Sequence, residues 1–298
     1  MKKKALRKDF YMEIRRSLGR FLSIFFIVAL GVSFFSGIRA AEPDMRFSAD
    51  EYFDEHHLAD MKVISTFGLT EKDIDAIRQV EGVKKVEYGY STDAICQLKD
   101  SEKVVHIMSE LPTMNQVDVM EGRMPKKDNE CFMDIDFMKM AGYKVGDTVK
   151  LESGTNEGLD KTFKHSSYKI VGAGSSPCYI SFERGSSMIG TGEVSGFMIV
   201  SPETFSTDVY TECLVEVEGA KEAVAFTKEY ETKVEKVTEK VEKIESIQCR
   251  QRRKEIVSEA QEKVSQSEKD LHKAKKTTEE ELKSAQQKIT DGEKQLED

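Results

Sequence analysis

RFLSIFFIVALGVSFFSGIR, residues 20 to 39, decides how the rest of the chain is arranged. Arg20 and Arg39 enclose eighteen residues, Phe21 to Ile38, that carry no charge. As a helix, these residues rise about 27 Å, close to the thickness of the hydrocarbon core of a bilayer. The two arginines can extend to the two polar surfaces of that bilayer. The stretch therefore predicts one transmembrane helix over 21–38.

Two other structures contain apolar stretches of this kind. A buried core helix seldom lacks a polar stripe over five turns. A cleaved signal peptide has a shorter apolar region, and Arg39 stands where small residues should precede a cleavage site. We therefore favour an uncleaved span.

The charge of the chain changes sign across this span. Residues 1–20 hold eight Lys or Arg against two acids, whereas residues 40–60 hold seven acids against one Arg. Because Lys and Arg resist translocation, we expect the N-terminus in the cytoplasm and residues from about 40 onward outside it.

The basic segment 1–20 also has an apolar face. Phe10, Tyr11, Ile14 and Leu18 recur at helical spacing, with basic residues elsewhere on the surface. This pattern predicts an amphipathic helix on the cytoplasmic surface, with membrane lipid as its partner. A solvated basic tail is the alternative.

Composition excludes several classes of protein. The net charge of -9 and the pI near 5.3 argue against a nucleic-acid binder. The five cysteines are odd in number and form no C-x-x-C pair, which argues against a disulfide framework and a zinc site. We expect ordinary thiols, with a single bridge within 96–213 left open.

Residues 62–90 contain the clearest local unit. KVIST (62–66) predicts a strand, LTEKDIDAIRQVEG (69–82) a helix, and VKKVEYGY (83–90) a second strand. Thr70 is the expected N-cap, and Asp73 stands at the capping-box position. This order predicts a sheet with a helix packed on it.

The pattern continues as one α+β domain over about 45–219. We expect a short helix at 134–143 that ends at Gly142, a turn at Gly146–Asp147, and loops at 152–166 and 185–196. The other strand candidates are 92–98, 103–108, 148–151, 168–174, 197–200 and 212–219.

From residue 221 to 298 the composition is that of a long charged helix. The segment has no Pro and one Gly, and apolar residues recur at steps of three and four. QCRQRR (248–253) interrupts this seam, and its phase slips near 278–282. We predict a coiled-coil helix; a charged single helix or a disordered tail is the alternative.

A coiled-coil seam is stable only when it packs against another helix. The sequence predicts no second long helix, and the seam stops at Asp298 in mid-pattern. We therefore expect a partner helix, either from a C-terminal part of a longer protein, which we favour, or from another chain.

The sequence carries no recognisable catalytic pattern. We predict no catalytic, cofactor-binding or metal-binding residues and no cofactor, so the chain is not expected to be an enzyme. It lacks the G-x-x-x-x-G-K motif of an ATPase. His56–His57, beside Asp54 and Glu55, is one metal candidate, but a solvated loop is the preferred interpretation. Gly172-Ala173-Gly174 lacks a dinucleotide-binding context.

Several motifs, in this order, resemble the FtsX-like or MacB-like permease subunits of bacterial ABC transporters. The first two are LGRFLSIFFIVALGVSFFSGI (18–38) and LTEKDIDAIRQVEGVKKVE (69–87). The most specific lies within 119–151. There Gly122, Arg123 and Pro125 match a G-R-x-P pattern, and Val145, Gly146, Asp147 and Val149 match a hydrophobic-Gly-Asp-x-Val pattern. YKIVGAGSSPCYIS (168–181) fits the next strand.

The resemblance implies a MacB-like α+β domain outside the bacterial cell membrane and a separate cytoplasmic ATP-binding subunit. It also implies at least three further spans, which this sequence lacks, and movement of the outer domain driven by ATP. Substrates in such systems include peptides, lipoproteins and toxins. The helix 221–298 is an insertion that many members lack.

Two further functions stay open. A single-span surface adaptor would use the coiled coil to bind or regulate a partner such as a cell-wall hydrolase. A secreted enzyme is the weakest alternative, because no catalytic constellation is present.

Overall fold

A computed structural model of the chain describes residues 2–98 and 101–297, without the side chains of residues 2, 3, 287 and 290–297. The predicted seam residue Leu296 and the end of the segment at Asp298 therefore lie outside the side chains described. The chain divides into two compact units between Thr238 and Glu239.

The N-terminal region forms two helices, α1 (Lys2–Arg16) and α2 (Leu18–Glu55). The window of highest hydropathy in α2 averages 2.3 and has no buried residue, so α2 is long and apolar enough to cross a membrane. The predicted span therefore lies within a helix of 38 residues, which also runs through Pro43.

The expected domain boundary at residue 45 falls inside α2. Residues 45–55 are helical, and the first strand begins only at Met61. Contacts with residues far along the chain explain this extension. Asp50 accepts the Ala225 N–H at 2.7 Å, and Arg46 donates to the Phe226 carbonyl at 3.2 Å.

In the part of the chain that the structure describes, ten strands and two short α-helices form the α+β domain, which confirms the predicted fold class. The strands are β1 (Met61–Leu69), β2 (Val83–Gly89), β3 (Ser91–Gln97), β4 (Glu102–Ser109), β5 (Asp118–Gly122), β6 (Glu130–Asp134), β7 (Thr148–Glu152), β8 (Ser167–Ser175), β9 (Val194–Val200) and β10 (Tyr210–Val217). The helices are α3 (Glu71–Arg78) and α4 (Ile135–Ala141).

A small antiparallel sheet contains three of these strands. Its order is β1-β10-β2, so β10 pairs between the two strands that flank α3. α3 buries Ile74 and Ile77 and packs on β2, as the strand–helix–strand pattern predicted. It is shorter than the predicted helix 69–82. The Thr70 N–H donates to the Asp73 carboxylate at 2.8 Å and completes the predicted cap.

The remaining seven strands form a second sheet, and six of them close into a barrel. Their order is β5-β8-β6-β9-β4-β3-β7, and β7 also pairs with β8. Six strands therefore close a ring, with β5 beside β8. Each strand of the ring contributes a side chain with no exposure to the core inside: Cys96, Val105, Cys131, Val149, Tyr168 and Met198.

α4 packs against the barrel core. It buries Ile135, Phe137 and Met138 against that core. The Asp134 carboxylate accepts the Asp136 N–H at 3.0 Å at its N-terminus, and Gly142 ends it in a left-handed conformation, as predicted.

The C-terminal helix α5 (Lys228–Glu297) has 70 residues without interruption. Residues 220–227 form turns rather than the helix predicted from 221, and Phe226 has a positive φ of 63°. A single long helix is confirmed, whereas the coiled coil is not, because no partner helix packs along α5 in the part of the chain that the structure describes.

Candidate functional site

The candidate site is a junction at which four elements of the fold meet. Here α2 ends, β1 begins, β10 ends and α5 begins. The Asp60 carboxylate connects three of them: it accepts the Val217 N–H at 2.7 Å and the Tyr230 hydroxyl at 2.8 Å. The Asp60 N–H also donates to the Val215 carbonyl at 3.0 Å. One side chain thus holds β1, β10 and α5 together.

This junction concentrates negative charge. Burial raises the pKa of Asp60, and Glu216 adds to the rise, while the Val217 N–H, Tyr230 and Lys84 oppose it. Burial also raises the pKa of Asp54, opposed by Lys221. Ionised carboxylates here are therefore held against a desolvation cost by specific donors.

Further bonds attach the last turns of α2 to the chain just before α5. Lys221 donates from Nζ to the Asp54 carbonyl at 2.9 Å, beside the Asp50 bond to Ala225. Lys233 of α5 donates to the Gly219 carbonyl at 2.8 Å. The two long helices therefore enter and leave the domain at one place.

α2 also contacts the barrel directly, through the His56–His57 pair. Nε2 of His56 lies 3.1 Å from Oδ1 of Asp118 in β5, and the side chain of His56 is largely buried. The backbone carbonyls of His56 and His57 accept the N–H groups of Gln116 and Asn115 at 2.9 and 3.0 Å. The preferred interpretation as a solvated loop is therefore wrong for His56, whose side chain docks the end of α2, whereas the His57 side chain is exposed.

The G-R-x-P motif builds the barrel. Gly122 ends β5 with a φ of 72°, and a Cβ there would overlap the Val171 carbonyl. The Arg123 guanidinium donates two bonds of 2.8 Å to the carboxylate of Glu130. Together with the Lys126 N–H, these bonds lower the pKa of Glu130 to about 2. The motif thus fixes the connection from β5 to β6.

The second motif has a similar structural role. Gly146 has a φ of 107°, and its N–H donates to the Ile170 carbonyl at 2.8 Å. The Asp147 carbonyl accepts the Ile170 N–H at 2.9 Å, and Val149 points into the barrel core. This turn places β7 beside β8 and so closes the barrel.

A small cavity of about 30 Å³ is lined by residues of β4 and β9 and by Glu212 of β10. Apolar side chains line much of it: Met108, Leu111, Val117, Met124 and Ile199. Burial raises the pKa of Glu110 at its edge. Asn115 and Gln116, which bond to the end of α2, form part of the same wall.

The structure brings no metal-binding group together. Among the described residues, no three His, Cys, Asp or Glu side chains are placed to hold a metal ion. The five cysteines are free, so the single bridge left open within 96–213 is not formed. Gly172 and Gly174 lie within β8, where a Cβ at either would overlap backbone atoms of β5 or of Arg123. These glycines permit close strand pairing.

Sequence reasoning missed the central residue of the junction. Asp60 and Tyr230 lie 170 positions apart, and neither belongs to a local motif. One signal was available in the sequence. Asp60 stands just before a predicted strand and Tyr230 near the start of a predicted helix, and neither has a polar partner in its own motif.

Comparison with known proteins gives structural likenesses only. No known protein family and no curated protein matches the chain. The extracellular domain of the noncanonic ABC-type transporter YknZ from Gram-positive bacteria is 14% identical, with a TM-score of 0.34. That match covers 53% of this chain and 78% of the YknZ domain.

Two other solved structures are similar to a comparable degree. The periplasmic region of MacB from Actinobacillus actinomycetemcomitans is 11% identical with a TM-score of 0.33, over 59% of this chain and 73% of that one. A domain of a permease protein from Porphyromonas gingivalis is 12% identical with a TM-score of 0.30, over 49% and 67%.

Proposed function

We propose that the chain forms the N-terminal part of a permease subunit of a bacterial ABC transporter of the FtsX or MacB type. A separate cytoplasmic subunit hydrolyses ATP, and the outer domain moves in response, for export of or response to peptides, lipoproteins or similar molecules. The sequence motifs at 18–38, 69–87 and 119–151 support this assignment to a family.

One structural observation carries the proposed mechanism. α2 continues from the apolar stretch to Glu55, where Asp50 and Asp54 bond to the chain just before α5. His56, directly after α2, pairs with Asp118 of β5. No flexible linker separates the apolar stretch from the domain. The 17 residues after Ile38 extend the helix by about 25 Å. A displacement of the span is therefore transmitted to both sheets.

The orientation is tested by thiol labelling in intact cells. In a background with Cys178→Ser and Cys249→Ser, Met188→Cys lies on a fully exposed loop and Lys8→Cys on α1. We expect a membrane-impermeant maleimide to label Met188→Cys in intact cells and Lys8→Cys only after lysis. Labelling of both sites, or of Lys8→Cys alone, in intact cells would contradict the proposal.

The partnership with an ATPase is tested by purification. The full-length protein, tagged and extracted from its own host in mild detergent, is expected to carry an ABC ATP-binding subunit and ATPase activity. In a matched variant, the sequence Gly-Ser-Gly-Ser replaces residues 40–43, which interrupts α2 between the apolar stretch and the α+β domain and keeps both of them. We expect it to retain the ATPase subunit and to lose the ATP-dependent change in protease sensitivity of the outer domain. Purification without an ATP-binding subunit would argue against a permease.

A single-span adaptor is the second candidate. It is favoured by the exposed apolar side chains along α5, which suit binding of another helix. Stable capture of a cell-wall hydrolase through α5, without an ATPase, would support this function over the first.

A further inference from the structure

The second half of α5 exposes a narrow apolar stripe. Val257, Val264 and Leu271 are each about half exposed, and they recur every seven residues. Ala260, Ser267 and Ala274 follow each of them by three. In a seven-residue repeat lettered a to g, the three larger residues therefore occupy position a and the three small residues position d.

The rest of this surface is polar. Glu262, Lys269 and Lys276 occupy the outermost position, f, and the remaining positions are mostly charged or amide residues. An a/d-only stripe with period seven is the pattern of a two-helix seam, narrower than the face of a helix packed in a globular core. Leu282 and Ile289 continue the stripe after one eleven-residue step, which locally unwinds a coiled coil.

We propose that this stripe pairs, parallel and in register, with α5 of a second copy of the chain, rather than with a helix from a C-terminal part of a longer protein, which the sequence pattern had favoured. In such a pair, each g residue faces the e residue five positions later on the partner helix. Lys263 then faces Glu268 of the second copy, and Asp270 faces its Lys275. Both g–e pairs between the two helices within 257–275 therefore join opposite charges. Asp270 also accepts a bond of 3.2 Å from Gln266 on its own helix.

Two further features favour the same partner. Val257 and Val264 are β-branched, as residues at position a of two-stranded parallel coiled coils often are. Two copies anchored in one membrane by α2 also share one orientation, which a parallel pair requires. This last point depends on the proposed membrane anchoring, whereas the seam and its charges do not.

The register is tested by cross-linking of the full chain in membranes. In the Cys178→Ser, Cys249→Ser background, Val264→Cys places a thiol in the seam, and Glu262→Cys places one on the opposite side of α5. We expect a short bismaleimide to give about tenfold more covalent dimer at 264 than at 262. Equal yields at the two sites, no dimer, or a cross-link from 264 to a different protein would overturn the proposal.

Charge exchange tests the direction of pairing. On the Val264→Cys chain, Lys263→Glu sets two glutamates against each other, and we expect the dimer yield to fall about fivefold. The double change Lys263→Glu with Glu268→Lys should restore it. An antiparallel pair brings g against g and e against e, so failure of the double change to restore the yield would overturn the parallel register. Because these yields do not depend on an ATPase subunit, they can fail or succeed separately from the proposed function.

Discussion

The barrel and α5 use apolar residues in opposite ways. In the barrel, Cys131 and Tyr168 have no exposure, because six strands of the same chain surround them. In α5, Val264 and Leu271 are both 58% exposed along a helix of 70 residues. Among the described residues, a core that the chain itself buries is therefore found in the α+β domain.

The same contrast applies to α2. Phe34 is 74% exposed in the apolar stretch, whereas the end of the same helix docks through His56 against the barrel. The difference teaches that the fold has one self-sufficient part, the α+β domain, and two helices that leave large apolar side chains exposed. The following substitutions test which apolar residues belong to the buried core and which do not.

The largest loss of stability is expected in the barrel core. Phe137 is 1% exposed, so Phe137→Ala should lower the free energy of unfolding by about 3–5 kcal/mol. Phe182, which is fully exposed, is the matched control, and Phe182→Ala should change it by less than about 0.5 kcal/mol. Urea unfolding of the full chain in detergent, followed by tyrosine fluorescence, measures both. Equal losses would show that the core has been misplaced.

Substitution of two glycines by alanine distinguishes the cost of backbone strain from the cost of steric overlap. Gly122 and Gly142 have similar φ angles of 72° and 74°, but only at Gly122 would a Cβ meet other atoms. Gly142→Ala should cost about 1–2 kcal/mol, which is the strain of a left-handed alanine. Gly122→Ala should cost about 3 kcal/mol or more, because the Val171 carbonyl cannot move without breaking the β5–β8 pairing. Similar losses in the same urea experiment would mean that β5 is not tightly paired.

The Arg123–Glu130 pair predicts how the barrel responds to acid. Because the folded-state pKa of Glu130 is lowered from 4.5 to about 2, its contribution is present above pH 4.5 and is lost as the pH falls towards 2. Glu130→Gln should therefore destabilise the barrel at pH 7, by less than Gly122→Ala, and flatten the acid dependence in that window. Glu121→Gln, at an exposed carboxylate next to the motif, is the control. An unchanged acid profile in Glu130→Gln would show that the pair is not formed.

Sequence patterns predicted the elements better than their arrangement. Local signals sufficed for the Thr70 cap, the Gly142 stop and the Gly146 turn, because each depends on neighbours within a few residues. β5 and β6 were both missed: β5 is mostly exposed, and β6 is a short strand buried at every position, so neither shows the alternation that marks a half-buried strand. The placement of β10 between β1 and β2 depends on contacts over more than 100 residues, which no local pattern encodes.

The candidate site was least predictable for the same reason. The motifs that resemble a permease family turned out to build barrel turns, at Gly122 and Gly146. The junction instead depends on Asp60, whose partners Val217 and Tyr230 come from the far end of the domain. His56 could be found in the sequence, but its partner Asp118 could not.

The smallest effect is expected at the junction. Tyr230→Phe removes one of the two side-chain or backbone donors to the Asp60 carboxylate, which should lower the free energy of unfolding by about 1 kcal/mol at pH 7. Tyr11→Phe, at an exposed tyrosine on α1, is the control and should have no effect. Hydrogen exchange of the first amides of β1 should report the loss locally, while the barrel amides keep their protection.

The pH dependence of this variant has a definite sign. Burial raises the folded-state pKa of Asp60, so the folded protein favours its protonated form. The resulting contribution to the free energy of unfolding is complete below the ordinary pKa of 3.8. It is lost as the pH rises through the raised pKa. The ionised carboxylate needs the Tyr230 hydroxyl more than the protonated one does. The cost of Tyr230→Phe should therefore shrink as the pH falls through the raised pKa of Asp60, at values above 3.8. A cost that is independent of pH would mean that Tyr230 stabilises the start of α5 by packing alone, and that the junction is held by its backbone bonds.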